Sequence, residues 1–73
     1  MNKKTKELIA IGASVTARCN KCLEYHIQKA KELDCTEEEI KEAVEVGKQV
    51  KRGSWSMMNE EIENILNSGE KNE

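Results

Sequence analysis

The sequence predicts an all-α fold. Three observations carry that prediction: proline is absent, the helix formers Ala, Glu, Lys, Leu and Ile dominate, and apolar residues recur at spacings of three and four. No stretch alternates polar and apolar residues as a strand would. At 73 residues the chain is one domain, residues 1–73, with a core over about 5–66 and a polar tail at 67–73 expected to fray. A chain this short buries only about 60% of the surface it exposes when unfolded. With no phenylalanine, and Tyr25 and Trp55 as the aromatics, large core anchors are few, so a homo-oligomer is expected.

The first helix is expected over about residues 5–17, where Leu8, Ile9, Ala10, Ile11, Ala13, Val15 and Ala17 are apolar on nearly every side, the pattern of a helix buried on several faces. The second, about residues 20–33, sets Cys22, Leu23, His26, Ile27, Ala30 and Leu33 on one face, with Glu24, Gln28, Lys29, Lys31 and Glu32 opposite. Cys22 and His26 therefore share the face expected to be buried. Thr36 followed by Glu39 is a capping box that starts a third helix through Ile40, Ala43, Val44, Gly47 and Val50. Gly53 and Ser54 interrupt the pattern, and Trp55, Met58, Ile62, Ile65 and Leu66 form a fourth amphipathic segment. The architecture expected is an antiparallel helical hairpin with one or two further helices.

Charges of both signs are interspersed and the formal net charge is −2, so neither a nucleic acid nor an anionic membrane is an expected partner. No apolar run approaches the roughly 20 residues of a membrane span, and none resembles a signal-peptide h-region. Three cysteines, an odd count, fit a reducing cytoplasmic setting, where Cys-x-x-Cys points to catalysis or metal binding.

The chemistry concentrates in Cys19-Asn20-Lys21-Cys22 and in His26, the single histidine, four residues further on. At the start of a helix, unpaired N–H groups and the macrodipole favour a thiolate, and Arg18 and Lys21 add positive charge. Two thiols in one helical turn can close a disulfide with little backbone movement. His26 lies one turn beyond Cys22 and can serve as its base. If the first two helices turn back near Thr16 and Ala17, Glu7 and His26 are equidistant from the turn and face each other, which orients the imidazole. The competing reading is zinc held by Cys19, Cys22 and His26, with Glu7 or a neighbouring subunit completing the set. Cys35 is removed from that set by distance, since 13 residues of helix separate it from Cys22 by about 20 Å. It reads as a small buried residue at the helix junction. The Trp55, Met57 and Met58 cluster reads as core or subunit interface.

The stretch from Glu7 through Ala-Ser-Val-Thr-Ala-Arg-Cys-Asn-Lys-Cys-Leu-Glu-Tyr-His to Thr-Glu-Glu-Glu-Ile resembles the carboxymuconolactone decarboxylase family, specifically its alkyl hydroperoxidase D-like branch, over about residues 6–56. That branch carries a glutamate, Cys-x-x-Cys twelve residues later and a histidine four after the second cysteine, which Glu7, Cys19, Cys22 and His26 match in spacing. The resemblance implies that Cys22 is the attacking thiol, Cys19 its resolving partner, and His26 with Glu7 the proton relay. It further implies an all-α oligomer (dimer, trimer or hexamer) and a thiol-disulfide oxidoreductase or peroxidase without a cofactor. The substrate would be a hydroperoxide or a disulfide, and the electron donor a lipoyl group, a thioredoxin-like protein or a small thiol. Three departures stand out. Lys21 occupies the place of a second histidine found in some members, Asp34 that of a helix-ending glycine, and Gly-Ser-Trp-Ser at residues 53–56 that of an alanine-rich segment. The lactone decarboxylases lack the cysteine pair, so decarboxylation is not expected.

Overall fold

The computed structural model describes residues 1–71, with side chains as far as Ser68. It contains three helices: α1 (Lys3–Ala17), α2 (Asn20–Glu32) and α3 (Glu37–Lys71). Asn2 caps α1, its side chain accepting the Thr5 N–H at 2.8 Å. The capping box at the start of α3 is reciprocal, the Thr36 N–H donating to Glu39 Oε1 at 2.8 Å and the Glu39 N–H to Thr36 Oγ1 at 3.1 Å.

α1 and α2 end in the same way. The Arg18 N–H donates to the Val15 carbonyl and the Cys19 N–H to that of Ser14; the Asp34 N–H donates to Lys31 and the Cys35 N–H to Ala30. Each pair is a Schellman closure, and each places a non-glycine residue in the left-handed region, Arg18 at φ 59° and Asp34 at φ 65°. Asp34 thus adopts the conformation that a glycine would adopt at lower cost.

Ile11, Ala30, Cys35 and Ile40 are the buried apolar residues among those described, with Leu8, Leu23, Ile27, Ala43 and Val44 packed against them. α1 meets α3 where Gly12 faces Gly47, and a Cβ at Gly47 would lie 2.5 Å from the Gly12 carbonyl oxygen. Thr16 Oγ1 bonds both carbonyls there, at 3.1 Å to Gly12 and 3.0 Å to Gly47. The missing side chains let the two backbones touch, and the hydroxyl joins them.

Two expectations change. The break at Gly53 and Ser54 is absent, and α3 runs without interruption through the segment expected to form a fourth helix and on through Asn67 to Lys71. One glycine costs a helix about 1 kcal/mol. With no proline nearby, that cost is too small to end the helix, and it continues. Residues 72 and 73, the end of the tail expected to fray, lie outside the described residues. Nor is α1 buried on several faces. Ile11 and Ser14 are buried, whereas Ile9 is 54% exposed, because one chain supplies neighbours to only part of the helix. The molecule measures 60 × 20 × 19 Å, a small helical body from which the second half of α3 projects.

Candidate functional site

The turn between α1 and α2 positions the chemistry. Arg18, in its left-handed conformation, redirects the chain so that Cys19 becomes the N-cap of α2. Its sulfur takes the place usually held by a Ser or Asp oxygen and accepts the Cys22 N–H at 3.2 Å. Cys19 and Cys22 are joined by a disulfide, with their Cα atoms 5.2 Å apart. The loop it closes is so short that chain entropy credits it with only about 2 kcal/mol, against nearly 5 for a loop of a hundred residues. Opening and closing this bond therefore perturbs the fold little.

His26 sits one turn along α2, and its Nδ1 lies 2.7 Å from Glu7 Oε1 on α1. The two side chains keep 28% and 22% of their surface exposed, so the pair is half sheltered between the helices. A carboxylate only accepts, so Nδ1 is the protonated nitrogen in this contact. In the neutral ring that leaves the Nε2 lone pair free to take a proton from a thiol. A helical side chain leans towards the N-terminus of its helix, which directs the imidazole to the turn that carries Cys22. Tyr25 sets its ring edge-on to His26, with centroids 5.1 Å apart, and Lys29 Nζ lies 5.7 Å from the Tyr25 centroid.

The four residues singled out in the sequence thus fall on adjoining turns of α1 and α2. One placement differs from expectation: Cys22 is exposed rather than buried with His26. It stands in the first turn of α2 with its side chain open to solvent. That exposure opens the disulfide to attack by a second thiol. Among the described residues no three His, Cys, Asp or Glu side chains converge as a metal ion would require, and both candidate sulfurs are bonded to each other. Cys35 is a free, buried thiol at the α2–α3 junction, distant in the chain from the pair. An open apolar groove of about 820 Å³ lies between α1 and α3, and none of the four residues lines it. Among the described residues no helix is long and apolar enough to cross a membrane.

Comparison with known proteins places these features in a family. Residues 1–51 match the sequence model of the carboxymuconolactone decarboxylase family. The chain is also 33% identical over 54 residues to "Uncharacterized protein 4 in cox locus" of Paracoccus denitrificans, a match that covers 74% of this chain and 49% of the relative. The chain therefore spans about half the length of that curated relative. No solved structure shows significant similarity.

Proposed function

The chain belongs to the carboxymuconolactone decarboxylase family, and from that membership and its bonded cysteine pair we propose that it is a thiol-disulfide oxidoreductase that reduces hydroperoxides or disulfides. The observation that carries the reading is the Cys19–Cys22 disulfide at the start of α2, one turn from a histidine whose Nδ1 lies 2.7 Å from Glu7 Oε1.

In the cycle proposed, His26 Nε2 accepts the Cys22 thiol proton, with Glu7 stabilising the imidazolium that forms. The Cys22 thiolate attacks the terminal oxygen of a hydroperoxide. The O–O bond breaks, an alcohol leaves with the proton returned by His26, and Cys22 becomes a sulfenic acid. Cys19 then attacks that sulfur and expels water, forming the disulfide. Its thiolate is favoured by the Cys22 N–H, which already points at the sulfur. Two electrons have passed from two thiols to the peroxide. A dithiol donor restores them by attacking the exposed disulfide, passing through a mixed disulfide and leaving oxidised itself. With a disulfide as substrate, the Cys22 thiolate attacks sulfur instead and Cys19 resolves the mixed disulfide.

The test is the rate of hydroperoxide and of disulfide reduction by the full chain in the presence of a dithiol. Cys22→Ser should abolish both reactions, and Cys19→Ser, assayed after reduction and removal of the dithiol, should consume one equivalent of oxidant per chain and stall at the sulfenic acid or mixed disulfide. Undiminished turnover in Cys22→Ser would sink the proposal.

A further inference from the structure

From Ile40 the inward stripe of α3 passes through Val44 and Gly47, is interrupted by the exposed Lys51, and resumes in the same register through Trp55, Met58, Ile62 and Ile65. Its first half packs on the body, where Val44 lies against the core and Gly47 against Gly12. Its second half has nothing to pack on. Thr16, next to the end of α1, is bonded at the level of Gly47, so everything after about Val50 runs past the end of the hairpin. Trp55 is 60% exposed, Met58 54%, Ile65 61% and the neighbouring Leu66 61%. Residues 53–59, Gly-Ser-Trp-Ser-Met-Met-Asn, carry no charge in a chain that is 36% charged. Charge depletion with Trp and Met enrichment is the composition of an interface core.

We infer that this projecting half of α3 pairs antiparallel with the same segment of a second copy, about a two-fold axis near Glu60. The stripe is self-complementary in that register. Trp55 lies opposite the second copy's Ile65 and Met58 opposite the second copy's Ile62, and the symmetry repeats both contacts. Trp55, Met58, Ile62, Ile65 and Leu66, at roughly 100 Å² each, bury about 500 Å² per copy. The total of about 1,000 Å² reaches the lower bound of a specific protein interface. The pairing lies at the end of the molecule that carries the Cys19–Cys22 turn, but it uses none of the redox residues, so it stands or falls independently of the proposed activity.

Sedimentation of the full chain at tens of micromolar tests the pairing. The wild type should sediment as a dimer or an even multiple of the chain. The double variants M58E/I62E and M58K/I62K place like charges on the axis and should each fall to half the wild-type mass with unchanged helical circular dichroism, because both positions are exposed within their own chain. An equimolar mixture of the two should return to the wild-type mass, since Glu then faces Lys across the axis. A wild-type monomer, as expected if α3 folds back at Gly53, would overturn the inference. So would an odd multiple, a double variant that keeps the wild-type mass, or a mixture that stays at half mass.

Discussion

The contact between His26 Nδ1 and Glu7 Oε1 is what distinguishes this Cys-x-x-Cys from an isolated pair of thiols. Replacing His26 by Asn removes the proposed base while keeping a polar side chain, and hydroperoxide reduction should fall about 100-fold at neutral pH in a stopped-flow assay. Glu7→Gln keeps a partner for Nδ1 but not its charge, so a smaller loss of about 10-fold is expected in the same assay. Glu7 and His26 meet as the expected hairpin paired them, but the chain turns at Arg18 and Cys19 rather than near Thr16 and Ala17, so the two are not equidistant from the turn. The exposure of Cys22 was not legible. Periodicity assigns a residue to a side of its helix, but not whether a neighbouring element covers that side at that level, and Cys22 is exposed. Asp34, in the left-handed cap of α2, gives a stability test at this scale. Asp34→Gly should raise the unfolding free energy by about 0.5–1 kcal/mol in a denaturant titration, because glycine adopts that conformation without steric cost.

At the scale of elements, the helix starts were the readable part, since Thr36 with Glu39 marked the start of α3 at Glu37 and both bonds of the box are present. Gly53 and Ser54 read as a break that does not occur. The signal of a lone glycine is worth about 1 kcal/mol, too little to end a helix unless a turn is rewarded by packing. The two glycines of α3 consequently predict opposite outcomes. A Cβ at Gly53 meets nothing within 4 Å, so Gly53→Ala should stabilise the helix by about 0.5–1 kcal/mol, measurable as a raised melting temperature. A Cβ at Gly47 would meet the Gly12 carbonyl and the Val15 side chain, so Gly47→Ala must push α1 and α3 apart and should cost about 1–3 kcal/mol in the same measurement. Equal effects at the two sites would mean that α1 and α3 do not touch as described.

For the whole molecule, the all-α class follows from composition and the absence of proline, but the burial pattern does not follow from one chain. The apolar residues around α1 and along the second half of α3 predict more contact than a single copy provides, and Ile9, Trp55 and Ile65 are more than half exposed as a result. A sequence pattern records every surface that is covered in the working protein, whichever chain covers it. The proposed redox centre, in contrast, is built within one chain by α1, α2 and the turn between them. The most direct measurement of its central claim is a thiol count on the fully reduced full-length chain before and after one equivalent of hydroperoxide, followed by peptide mapping. Two of three thiols should disappear, with Cys19 and Cys22 linked in one peptide and Cys35 still free. Oxidation that involves Cys35, or three thiols that survive the peroxide, would contradict the account.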